Sequence, residues 1–433
     1  MLRQAVIVIH GIGEQKPMST LRGFVDSVSD YRNQEDWIQV YNIPDTFSGS
    51  YELRQLTMYK GKELRTDFFE YYWAYNMRGT KLSSVWTWLV QLMFRKPKNI
   101  PGRIRWLYGL LWLIAVGYIV VLITGVLNWF QQLEWTQLPM VVLAGNAVLN
   151  IFAFVLTAFL GDAARYTYAS PENIEERGKI RKGGIDLLHQ LHVSKKYTRI
   201  VLVGHSLGSM IAYDMLKHYW SQVYKDYEVR PDYLRKQMDQ YNEKSVAGFS
   251  MKNDAEVAAY MKLQSLLFSE QRKRGNPWLV TDLITLGSPL AHGELLMAET
   301  KEMFKERKRE RELPSNPPQQ EKNKTISYSQ PFSRDPDSTV RDTPMEIIHH
   351  AGHFAFTRWH NLYYKRDYVG GPAREIFGAG MLDKQLTSTS WKDSLPFLMH
   401  TNYWANPKKS KTAAAESIAY LKKVILEMTK PEQ

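Results

Sequence analysis

The most constraining feature of this 433-residue chain is a five-residue turn with an unambiguous setting on either side. Arg199 to Val203 is a short β-branched and apolar run, and it leads straight into Gly204-His205-Ser206-Leu207-Gly208; a helical pattern follows from Ser209 to Tyr219. An uninterrupted apolar run of that length reads as a strand buried on both faces of a parallel sheet. Small residues on both sides of Ser206 permit a strand-to-helix turn sharp enough to project the hydroxyl. The pattern recurs. Ala5 to Ile9 is a second buried run, ends in His10-Gly11-Ile12-Gly13, and precedes a helix over Ser19 to Arg32 with Leu21, Phe24, Val25 and Val28 on one face. Val280 to Leu286 and Phe356 to Tyr364 read as further buried strands, and Trp37 to Tyr41, Glu52 to Tyr59 and Asp67 to Tyr75 as β runs extending the same sheet. Strands alternating with helices predict an α/β fold with a mostly parallel sheet and helices on both faces.

Two other segments belong to a different physical class. Leu107 to Phe130 is 24 residues without a charge, and Leu138 to Leu160 is 23. Each is long enough to cross a hydrocarbon core of about 30 Å as a helix. The link Gln131 to Gln137 holds one charge, Glu134, whereas Arg95, Lys96, Lys98, Arg103 and Arg105 precede the pair and Arg165, Lys179, Arg181 and Lys182 follow it. That asymmetry predicts a two-helix transmembrane hairpin with both ends cytoplasmic. Leu82 to Phe94, with Trp86 and Trp88 beside Arg95 and Lys96, fits an interfacial helix or a core helix equally. The expected organisation is an N-terminal part of the α/β body over 1–80, the interfacial helix and hairpin over 81–165, and the rest of the body over 166–433. Residues 220–275 read as a cap-like insertion and 301–337 as a mobile basic loop. Residues 1 to 30 do not read as a signal peptide.

The formal net charge of +12 is accounted for by the membrane flanks, and no groove-reading motif or aromatic-basic platform points to nucleic acid. The absence of cysteine excludes disulfides, thiolate catalysis and Cys-based metal sites. His349, His350 and His353 have no accompanying carboxylate motif, so no metal is expected and no cofactor is required.

A serine hydroxyl is a weak nucleophile that needs a base and oxyanion donors. Ser206 is the candidate nucleophile. The backbone N–H groups of Ile12 and Leu207 are the candidate oxyanion hole, with His10, Gly11, Gly13, Gly204 and Gly208 supporting the two turns. His205, adjacent to the nucleophile, is expected to pack or bond locally.

The order His-Gly-x-Gly, Gly-His-Ser-Leu-Gly and Thr-Leu-Gly-Ser-Pro (285–289), with Trp359-His360-Asn361-Leu362-Tyr363 before Asp367, resembles the lipase and esterase branch of the α/β-hydrolase superfamily. The resemblance covers most of the chain outside the hairpin. It implies the chain order nucleophile, acid, histidine, hence Asp367 as acid and His400, in Met-His-Thr-Asn-Tyr-Trp, as base. Asp383 and Asp393 compete for the role of acid. The expected activity is cleavage of carboxylic esters through an acyl-serine, at the cytoplasmic face of a cell membrane, with a lipid or acylated amphiphile as substrate and membrane lipids as partners. A thioesterase, an acyltransferase and a non-catalytic tethered interaction protein are the alternatives.

Overall fold

A computed structural model describes residues 1–11, 16–29, 38–77, 93–106, 108–109, 112–113, 115–117, 119–120, 123, 166–167, 171–226, 236, 239, 253–273, 275–321, 325–330, 345–388, 399–404 and 414–426. Its centre is an eight-stranded sheet in the order β10-β9-β6-β5-β1-β4-β3-β2. The strands are β1 (Leu2–Ile9), β2 (Ile38–Pro44), β3 (Arg54–Lys60), β4 (Leu64–Tyr71), β5 (Arg199–His205), β6 (Val280–Leu286), β9 (Arg358–Tyr364) and β10 (Leu382–Leu386). A separate hairpin pairs β7 (Ser327–Gln330) with β8 (Met345–Ile348). Every pairing from β10 through β4 is parallel, and only β2–β3 and β3–β4 are antiparallel. The chain is therefore of the α/β class, as its sequence pattern predicts.

Side chains alternate across a strand, and here both faces are covered. Ala5, Ile7, Ile9, Ile200 and Leu202 join one core with helices α2 (Pro171–Val193), α3 (Leu207–Val223) and α4 (Asp254–Lys273). Val6, Val8, Val201 and Val203 join the other with α1 (Ser19–Ser29) and the terminal helix α6 (Ala415–Leu426). After β1 the chain builds β2 to β4 on one side, then crosses to build β5, β6, β9 and β10 on the other. Such a reversal of strand order opens a crevice at the carboxyl ends of the central strands.

Two expectations need correction. Asp254–Lys273, placed by sequence in a cap, is a layer helix: Val257, Tyr260, Leu263 and Leu267 are buried in the first core, and Gln264 Nε2 donates to the Phe354 and Thr357 carbonyls at 2.5 and 3.0 Å. The stretch 301–321 is ordered, not a mobile loop. It forms α5 (Lys301–Arg309), capped by Thr300, and then buries Leu313, Ser315 and Asn316, with Tyr213 donating to the Pro314 carbonyl at 2.8 Å. Of the basic flank, Arg95 and Arg103 turn inward and donate to backbone carbonyls of the body. Among the described residues no helix is long and apolar enough to cross a membrane. Most of Leu107 to Phe130 and all of Leu138 to Leu160 lie outside them, as does most of 82–94.

Candidate active site

β5 delivers the chain to Ser206, which takes φ 52° and ψ −128° before α3 begins at Leu207. A non-glycine residue held at positive φ costs about 1–3 kcal/mol and persists only where its surroundings over-determine it. They do so here. Ser206 N–H donates to the Leu286 carbonyl at 2.9 Å, while the Ser206 carbonyl accepts Ser209 N–H at 3.0 Å and Ser209 Oγ at 2.5 Å. The two glycines answer to close approach. A Cβ at Gly204 would lie 2.5 Å from Ser209 Cα, and one at Gly208 would lie 2.3 Å from the Ile9 carbonyl oxygen. The elbow is thus pressed against its own helix and against the end of β1.

Asp367 follows β9 in a tight turn, its N–H donating to the Tyr364 carbonyl at 3.1 Å, and His400 is helical, with Thr401 in the turn that follows it, beyond β10. Although far apart in sequence, the three side chains form one line. His400 Nε2 is 2.8 Å from Ser206 Oγ, and His400 Nδ1 is 3.0 and 3.1 Å from the two Asp367 carboxylate oxygens. All are buried. Asp367 also accepts the Tyr403 hydroxyl at 2.8 Å and the N–H groups of Val369 and Gly370 at 2.9 and 3.1 Å. Burial alone would push this carboxyl up, but the His400 imidazole with its hydrogen bond, Gly370 N–H and the Tyr403 hydroxyl hold it down at about 2. An ionised carboxylate only accepts, so His400 Nδ1 carries the proton, and the Nε2 lone pair is left facing the serine hydroxyl.

The remaining sequence candidates fall around this line. His10 Nδ1–H donates to the Gly11 carbonyl at 2.8 Å, its ring stacks on Trp73, and Trp73 Nε1–H donates back to the His10 carbonyl at 2.9 Å. Burial lowers His10 to about 4, so it is neutral and fixes the turn. A Cβ on Gly11 would lie 2.8 Å from Ser206 Cβ, which places that turn directly beside the hydroxyl. Leu207 opens α3, and the first N–H groups of a helix have no acceptor within it. Ile12 and Gly13 lie outside the described residues, as does Asp393. Asp383 sits elsewhere: it accepts Asn361 Nδ2 and the N–H groups of Ala373 and Arg374. His349 Nε2 bonds the Gln319 carbonyl at 2.6 Å, His353 is enclosed in the first core region, and no cluster suited to a metal occurs among the described residues.

Two participants were missed by sequence reasoning. His205 packs against the His400 and Tyr403 rings, and its Nε2–H donates at 2.8 Å to the carbonyl of His400; burial, the largest influence, lowers it to about 3, so the residue before Ser206 holds the backbone of His400. Tyr403 grips the Asp367 carboxylate. Its only sequence signal is its position three residues after His400. No family model, no curated protein and no solved structure matches this chain.

Proposed function

We propose that this chain is a membrane-anchored serine hydrolase of the α/β-hydrolase type that cleaves carboxylic esters, with lipids or acylated amphiphiles as substrates. The observation that carries the reading is the hydrogen-bonded line Ser206–His400–Asp367, built on a strained strand-to-helix turn at the carboxyl end of a parallel sheet. His400 Nε2 accepts the Ser206 proton as Oγ attacks the ester carbonyl carbon. The tetrahedral oxyanion is held by Leu207 N–H and, on the expected geometry, by Ile12 N–H. His400 then returns the proton to the departing alcohol, leaving acyl-Ser206. A water, deprotonated by His400, releases the acid and restores the hydroxyl, with Asp367 holding the imidazolium throughout.

The anchor is the hairpin over 107–160. It is supported by the two uncharged spans and by Leu113, Val116, Ile119, Val120 and Ile123 of the first, all half or more exposed at positions where the chain is helical. A helix face of that kind suits hydrocarbon and not water. Hydrolysis of a short-chain p-nitrophenyl ester by the detergent-solubilised full chain tests the chemistry. Ser206→Ala and His400→Ala should each lower kcat by about 10⁴-fold or more, and Asp367→Asn by about 10⁴-fold. Undiminished turnover by well-folded Ser206→Ala would overturn the proposal.

A further inference from the structure

We propose that Arg103, at the foot of the first uncharged span, is a positioning residue for the acid of the site; this rests on the reading of Ser206, His400 and Asp367 as catalytic. Arg103 lies in the turn Gly102–Ile104, and its Nη2 is 3.1 Å from the Tyr364 carbonyl, 2.7 Å from that of Lys365 and 2.7 Å from that of Asp367. These carbonyls follow one another where β9 gives way to the Asp367 turn, so their dipoles converge on one point. A cation there offsets their mutual repulsion with charge-assisted bonds. The guanidinium also lies over the Tyr363 ring at 5.7 Å, and a Cβ built on Gly371 would stand 2.7 Å from Arg103 Nη1. Three residues on, Trp106 meets Tyr368 edge to face at 5.2 Å. His292 Nε2–H in turn donates to the Tyr368 carbonyl at 2.8 Å.

The turn carrying Asp367 is therefore clamped by contacts from both the β6 connection and the foot of the span. Asp367 has no strand partner of its own; besides the clamp it is held by the turn's own bonding, Asp367 N–H to Tyr364 and the Val369 and Gly370 N–H groups to its carboxylate, and by the Tyr403 hydroxyl and His400 Nδ1 on that carboxylate. The side-chain bonds hold the carboxylate, whereas Arg103, 264 residues away in sequence, holds the backbone that carries it.

The test is a double-mutant cycle on short-ester hydrolysis by the detergent-solubilised full chain, with thermal melting of each variant alongside. Arg103→Ala should lower kcat by roughly 10- to 100-fold, the effect of a displacement near 1 Å, and leave KM within about twofold. Arg103→Lys should recover part of the loss. In the Asp367→Asn background the same Arg103→Ala change should cost less than about twofold, because the carboxylate it positions is gone. Equal losses in both backgrounds, or no loss in the first, would overturn the inference while leaving the hydrolase intact. Turnover that survives Ser206→Ala would instead remove the hydrolase reading, and the role of Arg103 with it.

Discussion

Glu70 offers a sharp test of how the entry to α1 is held. It lies on β4, fully buried, and its Oε2 accepts Met18 N–H at 2.5 Å as the chain enters α1. Its other oxygen has no partner among the described residues, and burial pushes the carboxyl up from 4.5 to about 7. A raised carboxyl means the folded chain binds the proton more tightly than the unfolded chain does. Stability therefore falls as pH rises from 4.5 to 7, and the whole penalty, about 3 kcal/mol, is in place above 7. Glu70→Gln keeps an oxygen for Met18 and removes the charge. Any fixed cost of the new amide is the same at every pH, so the informative quantity is the change in the difference between variant and wild type. Between pH 5 and pH 9 that difference should move by about 2.5 kcal/mol in favour of Gln. Urea unfolding of both proteins in detergent, followed by tryptophan fluorescence, reads it directly. A difference that stays flat across this range would refute the reasoning.

Tyr403→Phe removes the hydroxyl from Asp367, a bond worth about 1.5–3 kcal/mol to a charged acceptor, and should lower kcat for ester hydrolysis by about 10-fold or more with KM unchanged. Gly208→Ala forces a methyl against the Ile9 and His10 carbonyls and should abolish the cooperative melt of the body, whereas Gly178→Ala, on an open helix face, should raise stability by about 0.5–1 kcal/mol in the same assay. Burial holds His10 and His192 at about 4 and His205, His349 and His353 at about 3, all below the ordinary 6.5. The unfolded chain takes up protons that the folded chain refuses, so stability present above 6.5 is lost as pH falls toward 4. Each histidine removes at most about 2 kcal/mol between pH 7 and pH 5, and acid unfolding should be accompanied by uptake of several protons. Circular dichroism unchanged down to pH 4 would contradict this.

The parts of the site carried by local pattern were legible in the sequence. The apolar run into Gly204-His205-Ser206-Leu207-Gly208 announces a strand, a tight turn and a helix within a few residues, and the family resemblance pointed to Asp367 and His400, with Asp383 and Asp393 competing for the place of Asp367. Contacts made across the fold left no such trace. His205 reaches the carbonyl of His400, and Arg103 reaches the Asp367 turn, through tertiary packing that no periodicity encodes. β10, Leu-Asp-Lys-Gln-Leu, is an edge strand with only Leu386 buried, so it shows neither a continuous apolar run nor a clean alternation. The stretch after Arg309 was misread for the converse reason. Its prolines, asparagines and charges have the composition of a mobile loop, yet Asn316 threads backbone bonds to Phe377 and Gly380 and is wholly buried.

The account stands on an activated serine at position 206, and covalent capture measures that most directly. The detergent-solubilised chain is treated with a fluorophosphonate, digested, and mapped by mass spectrometry. The account predicts a single phosphonyl adduct on Ser206, absent from Ser206→Ala and slowed at least 100-fold in His400→Ala. A well-folded wild-type chain that takes up no label, or takes it up at another residue, would contradict it.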